Sequence, residues 1–297
     1  YASLQTAWEE FERITDAPLP RAASIAIAAP IVGETIRMTN NSWIFRTDAL
    51  DEQLGLDTVT LINDFGAVAH AVARSPDAEL LHVAGPDEPL PARGTVSVIG
   101  PGTGLGVAHF HRFPGGYHVQ STEGGHIDFA PLDEIDDGIL AKLRKQHRRV
   151  STERVHAGPG IRIIYQALAA LEKRPPSPIE DTTIWQRGIA REDSLAAAAV
   201  DRFCASLGSV CGDYALAHGA SGVVLAGGVG LVIEADHGHV ARDAHARIAQ
   251  GAQGGDARAV VAGQHGAEFD ARAHDGARCI VAAAEVVPAI PHQARVA

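Results

Sequence analysis

Three short stretches hold groups suited to a polyhydroxylated substrate and a phosphate. Leu61-Ile-Asn-Asp-Phe65 ends an apolar run, Thr58-Val-Thr-Leu-Ile62, on the pair Asn63-Asp64. An aspartate at the mouth of a buried strand is a candidate general base, and the same position suits a helix N-cap. Ser121-Thr-Glu-Gly-Gly-His-Ile-Asp128 sets Glu123, His126 and Asp128 around two glycines. A sugar hydroxyl both donates and accepts hydrogen bonds, so a carboxylate beside an imidazole can serve it. Adjacent glycines let a ligand approach the backbone closely, although a turn that only satisfies its own backbone reads the same way. Between these stretches lies Gly100-Pro-Gly-Thr-Gly-Leu-Gly106, a loop whose amides could cradle phosphate or simply make a tight turn. Further on, Glu153 in Ser151-Thr-Glu-Arg154 reads as a first-turn helix carboxylate capped by Ser151.

The surrounding pattern supplies elements to position these groups. Leu4, Trp8, Phe11 and Ile14 recur at helical spacing. Ala23-Ser-Ile-Ala-Ile-Ala28 reads as a buried strand, and Thr39-Asn-Asn-Ser42 as a polar turn before Trp43-Ile-Phe45. Residues 58–62 read as a strand and 65–73 as a helix. Thr95-Val-Ser-Val-Ile99 and Gly106-Val-Ala-His-Phe110 are strands on either side of the glycine loop. Strand, glycine turn, strand is a hairpin, whereas the dinucleotide fold needs a helix after its glycines; the G-x-G-x-x-G spacing is also absent. A helix follows Gly158-Pro-Gly160. Ala199, Phe203, Leu207, Val210 and Tyr214 share one apolar face of a long helix over 193–218. Val223-Val-Leu225 is a buried strand before Gly227-Gly228.

Composition narrows the function classes. A length of 297 residues suits one large or two medium domains. The net charge of −11 disfavours bulk binding to nucleic acid or an anionic membrane, though a phosphate site is local and is not excluded. The longest uncharged apolar run, 219–233, is glycine-rich and shorter than the roughly 20 residues of a spanning helix. Trp8-Glu-Glu10 and Glu12 interrupt any signal-peptide pattern. Cys204, Cys211 and Cys279 cannot build a disulfide framework, which points to the cytoplasm.

Ile62-Asn-Asp-Phe65, Gly102-Thr-Gly-Leu-Gly-Val-Ala-His109, Glu123-Gly-Gly-His-Ile-Asp-Phe-Ala-Pro131 and Ser151-Thr-Glu-Arg-Val-His-Ala-Gly-Pro-Gly160 follow one another in order. Together they resemble the bacterial glucokinase family over residues 1–229. The resemblance implies an α/β, two-lobed, actin-like ATPase (ribonuclease H-like) sugar kinase fold. It implies a small lobe over 1–74 and a large lobe over 75–229 carrying sugar and nucleotide motifs. It implies transfer of the ATP γ-phosphate to the 6-hydroxyl of D-glucose, with Mg²⁺ neutralising the phosphates, in a homodimer. Asp64 would then be the catalytic base, and Asn63, Asp64, Glu123, His126 and Glu153 would bind the sugar. Gly102, Thr103 and Gly104 would face phosphate, and Gly227 and Gly228 the adenosine. Asp128 is open to a structural or a functional reading and is not counted among the catalytic residues. A related sugar kinase and repressor family carries zinc on a histidine followed by a cysteine cluster; no such cluster follows His126, so no protein-held metal is expected.

The resemblance fails at both ends. The family opens with an Asp-x-Gly-Gly-Thr-Asn phosphate loop, and this chain matches from a point downstream of it, so the fold is expected to be incomplete there. A catalytically impaired sugar-binding remnant is the alternative reading. Residues 230–297 are dominated by Ala, Gly, Arg, Asp and His and hold six of the 15 histidines, with little periodicity. They are expected to be poorly ordered. A reading-frame shift near codon 230 and a divergent tail both account for them.

Overall fold

The computed structural model describes residues 1–15, 19, 21–38, 42–77, 80–86, 88–227 and 258–262. The described residues divide into two compact units, with the division between Ala67 and Val68. The sequence-based boundary at 74 lies at the end of the helix in which this division falls.

In the first unit, helix α1 (Leu4–Ile14) starts at Ser3, whose hydroxyl accepts from the Thr6 amide while Thr6 Oγ1 accepts from the Ser3 amide. This reciprocal cap satisfies two amide donors that a helix start leaves unpaired. Trp8 turns inward from α1. Strand β1 (Ala22–Ile27) runs parallel to β4 (Thr58–Asn63), in register from Ala22↔Thr58 to Ile27↔Asn63. A short antiparallel pair, β2 (Thr35–Arg37) and β3 (Ile44–Arg46), and helix α2 (Leu50–Leu54) also belong to the unit. Trp8, Ile25, Ile27, Ile36, Phe45, Leu50 and Leu54 form its core. Asn63 ends β4, and α3 (Asp64–Arg74) begins on the next residue.

The second unit is built on a six-stranded sheet. Strands β6 (Gly94–Pro101), β7 (Leu105–Phe113) and β8 (Gly116–Thr122) form an antiparallel meander. On the other side of β6 lies β9 (Ala220–Leu225), parallel to it. Beyond β9, β10 (Arg258–Ala262) runs parallel to it and antiparallel to the edge strand β5 (Leu80–Ala84). β10 is a strand that periodicity did not disclose. The rest of 230–297, including the proposed frame shift and Cys279, lies outside the described residues.

Besides most of α3, the described residues of this unit form α4 (Glu134–Arg144), α5 (Thr152–His156), α6 (Gly160–Leu171), α7 (Asp181–Ile189) and α8 (Ser194–His218). Asp193 caps α8 by accepting from the Leu195 and Ala196 amides, and Gly219 ends it at φ 60°. By length and composition α8 could cross a membrane, yet 72% of its most apolar window is buried inside the protein. It is the central core helix, packed on α6, α7 and the sheet.

Phe203 on α8 is fully buried, with its ring edge-on to Trp185 at 4.9 Å and to His156 at 5.9 Å. Phe203→Ala should cost about 3–5 kcal/mol, the usual loss for an aromatic deleted from a packed core. Chemical denaturation of the two proteins checks this; a loss under about 1 kcal/mol would mean that α8 is not the central packing element.

Candidate functional site

Two neighbouring constellations in the second unit are built by glycine. Residues 102–104 join β6 to β7, and the last ladder pair below them is Pro101↔Leu105. The Gly102 amide donates to the Gly104 carbonyl at 2.8 Å, closing the loop on itself. The Gly102 carbonyl accepts from Gly158 at 2.7 Å, and the Gly158 carbonyl accepts from the Trp185 indole at 3.3 Å. The loop is therefore fastened to the turn between α5 and α6. Gly227 follows β9 at φ 85°, where a Cβ would stand 3.3 Å from the Pro101 carbonyl. The structure thus sets Gly227 against the end of β6, from which the 102–104 loop leaves; Gly228 lies outside the described residues.

The second constellation starts where β8 ends. Residues 124–126 make one 3-10 turn, with the His126 amide donating to the Glu123 carbonyl and Ile127 to Gly124. A Cβ on Gly125 would lie 2.2 Å from the Leu105 carbonyl, and one on Gly124 would lie 3.0 Å from both Tyr214 and Val107. The two glycines are needed because the turn is pressed flat against β7 and α8. Tyr214 donates its hydroxyl to the Gly124 carbonyl at 2.7 Å.

Helix α5 brings the third group. Thr152 donates its amide to Ile127 at 2.8 Å, and Phe129 donates to Val150, so the start of α5 is stitched to the segment after the turn. Ser151 holds the N-cap position, but its side chain makes no capping hydrogen bond. Capping by the Ser151 hydroxyl, expected from the sequence, is corrected: the α5 start is held by these backbone bonds instead. Glu153 accepts the Leu105 amide on Oε2 at 3.0 Å. A Cβ on Gly104 would stand 2.5 Å from that same oxygen.

His126 lies between two carboxylates. Its Nε2 is 3.7 Å from Glu123 Oε2, and its Nδ1 is 3.8 Å from Glu153 Oε1. Those separations exceed hydrogen-bonding distance, so both carboxylates keep acceptor positions for hydroxyl donors. Glu123 and His126 are well exposed, whereas Glu153 is more enclosed. The structure therefore joins Glu123, His126 and Glu153 into one polar group and connects it to the glycine loop through Leu105. Asp128 is exposed, pairs with Arg149 and bridges its backbone to Ser151.

Asn63 and Asp64 belong to the first unit. Asn63 Oδ1 accepts from the amides of Phe65 and Gly66, both at 3.0 Å. The capping role considered for Asp64 thus falls to Asn63. Asp64 is the first residue of α3 and is exposed, with one oxygen on the Phe65 amide at 2.8 Å.

Beneath Glu153 lies a fully buried histidine. His156 Nδ1 donates to the Thr152 carbonyl, and Nε2 accepts from Ser206 on α8, both at 3.0 Å. Burial lowers its pKa to about 4, partly offset by the bond to Thr152. Sequence reading missed both His156 and the Tyr214 hydroxyl; the apolar face of α8 shows Tyr214 only as a core ring. Among the described residues no three His, Cys, Asp or Glu side chains converge as a metal cage.

A family profile described as Glucokinase matches residues 1–235. The chain belongs to the glucokinase family. A glucokinase of Zymomonas mobilis is 57% identical over 233 residues, covering 78% of this chain and 72% of that protein. One from Neisseria gonorrhoeae is 38% identical over 234 residues, covering 74% and 70%. Among solved structures, a glucokinase from an Antarctic psychrotroph superposes with a TM-score of 0.75 at 29% identity, covering 89% of this chain and 82% of that one. A Balamuthia mandrillaris glucokinase shares the fold, with a TM-score of 0.69 at 17% identity, covering 88% and 80%. As a glucokinase-family chain, this is a sugar kinase of α/β, actin-like ATPase fold.

The two glycine contacts predict different outcomes. Gly125→Ala presses a methyl on an immovable carbonyl and should cost ~2 kcal/mol or more of stability. Gly104→Ala meets only the end of a glutamate side chain, so it should cost under ~1 kcal/mol while displacing Glu153. Urea unfolding of both variants checks the order; equal losses would contradict it. His156 supplies a pH prediction. Its folded pKa lies below the unfolded value, so the unfolded chain binds more protons between the two and stability falls as pH drops from about 6.5 towards 4. His218, half-buried against His109, shifts the same way. His156→Gln should be less stable at pH 7 yet lose less between pH 7 and 4. A parallel pH dependence in both proteins would show that His156 does not titrate as described.

Proposed function

We propose that this chain transfers the γ-phosphate of ATP to the 6-hydroxyl of D-glucose, giving ADP and glucose 6-phosphate. The observation that carries the reading is the carboxylate–imidazole–carboxylate group Glu123, His126 and Glu153, joined through Leu105 to a glycine loop. Glu123 and Glu153 accept hydroxyl hydrogen bonds from the sugar, and His126 bonds a further hydroxyl. Asn63 spends its carbonyl oxygen on the α3 start, so it meets the sugar through its amide nitrogen. Asp64 takes the proton of the 6-hydroxyl as that oxygen bonds to the γ-phosphorus. The bond from phosphorus to the β–γ bridging oxygen breaks, and its electrons leave on ADP.

Gly102, Thr103 and Gly104 supply the loop for the nucleotide phosphates. The Gly102 amide is already bonded within the loop, so the amides of Thr103 and Gly104 and the Thr103 hydroxyl are the donors. The family resemblance assigns Gly227 and Gly228 to adenosine binding. Magnesium arrives on the nucleotide, neutralising its phosphates. Three cysteines in 297 residues are too few for a disulfide framework, which supports a reducing, cytoplasmic setting. The family resemblance supports a homodimer.

Two variants test the roles separately. Asp64→Asn should lower kcat by ~10²–10⁴ and leave the glucose Kd within about tenfold, because the loss falls on proton transfer. Turnover within a few-fold of the parent in a coupled glucose 6-phosphate assay would remove Asp64 as the base. Glu123→Gln should weaken glucose binding by about 1.5–3 kcal/mol, the worth of a hydrogen bond to a charged group. An unchanged Kd by calorimetry would remove Glu123 from the site.

A further inference from the structure

Helix α8 reaches the sugar-side groups through two polar side chains. Ser206 donates to His156 Nε2 and so holds α5, which carries Glu153. Eight residues on, Tyr214 donates to the Gly124 carbonyl at 2.7 Å and so holds the turn that carries Glu123 and His126. No sugar ligand assigned above lies on α8 itself.

The Tyr214 ring is buried, and both its edge and Val107 stand 3.0 Å from where a Gly124 Cβ would sit. The ring also stacks on His218, with centroids 5.9 Å apart. Packing alone would be met by phenylalanine. A buried hydroxyl is costly unless paired, and this one is paired to a turn carbonyl that already accepts from Ile127. The Tyr214 bond thus ties the turn to α8. Burial raises the phenol pKa, and Cys211, Asp213 and Glu153 add to the shift, so the group stays a donor.

We propose that Tyr214 is a positioning residue for sugar binding: its hydroxyl sets the height of the 123–126 turn and hence the placement of Glu123 and His126 against Glu153. The inference rests on the sugar site proposed above. α8 is then a common support that holds both carboxylates from behind.

The test is a double-mutant cycle on the full chain with Tyr214→Phe, Glu123→Gln and both together. Tyr214→Phe should raise the glucose Kd, by calorimetry, about fivefold, the loss of one neutral hydrogen bond. It should leave kcat at saturating glucose and the KM for ATP within about twofold, because it acts on ground-state binding of one substrate. The double variant should bind glucose within about twofold of Glu123→Gln alone, since Tyr214 acts through the turn that Glu123→Gln has already impaired. An unchanged glucose Kd in Tyr214→Phe, beside a raised one in Glu123→Gln, would overturn the proposal and leave the sugar site standing. Additive losses, with glucose and ATP affected alike and a lowered Tm, would make Tyr214 a plain core residue. An unchanged Kd in Glu123→Gln would overturn the sugar site, and this proposal with it.

Discussion

The bond from the Leu105 amide to Glu153 is the contact on which the rest of the site depends. It joins the start of β7, the glycine loop and α5 at one carboxylate. It exists because residue 104 has no Cβ; one would stand 2.5 Å from the Glu153 oxygen. It also fixes which oxygen of Glu153 is spent on structure. Oε2 is held by the backbone, and Oε1 faces His126. A carboxylate on a flexible side chain would lose rotamer entropy each time it met a ligand; one already bonded to the backbone has lost part of it beforehand.

The same economy recurs around this contact. The 3-10 turn can lie against β7 only because Gly125 clears the Leu105 carbonyl. The α5–α6 turn can close only because Gly160 clears the Val155 carbonyl, where a Cβ would stand at 2.0 Å. Three close approaches of backbone to backbone or carboxylate therefore bring Glu123, His126 and Glu153 together from separate segments. In the proposed reading their negative charge meets a neutral polyol, not an anion. In the proposed reading the 102–104 loop offers amides to phosphate, so the two substrates meet different chemistry on either side of Leu105. Behind both lies α8, whose apolar face fills the core while Ser206 and Tyr214 reach out as donors.

Much of this was legible in residue order. The strands β1, β4, β6 and β7 and the helices α1, α3 and α8 are long enough, or apolar enough on one face, for periodicity to reveal them. β8 was not read because its alternation, Tyr117 and Val119 taking turns with His118 and Gln120, offers only two apolar positions. β10 was not read because Arg258-Ala-Val-Val-Ala262 is a short apolar run in a segment of weak pattern. The glycine motifs pointed to close approach, but not to what approaches: the partners are Leu105, Val107, Tyr214 and Glu153, distant in sequence. Asn63 and Asp64 show the limit most clearly. Adjacent acceptors at a strand end both suit a cap, and only the hydrogen bonds assign that role to Asn63. His156 reads as one more residue of a motif until its burial and its two bonds are known.

The central claim is that sugar is held where the 123–126 turn, α5 and the β7 start converge. Amide hydrogen exchange of the whole chain, with and without saturating glucose, tests it most directly. Bound sugar should slow exchange of the amides in 123–127 and 151–157 and of Leu105, the segments that carry or pin the three ligands. Exchange unchanged across those segments, at a glucose concentration shown by calorimetry to saturate the protein, would contradict the account.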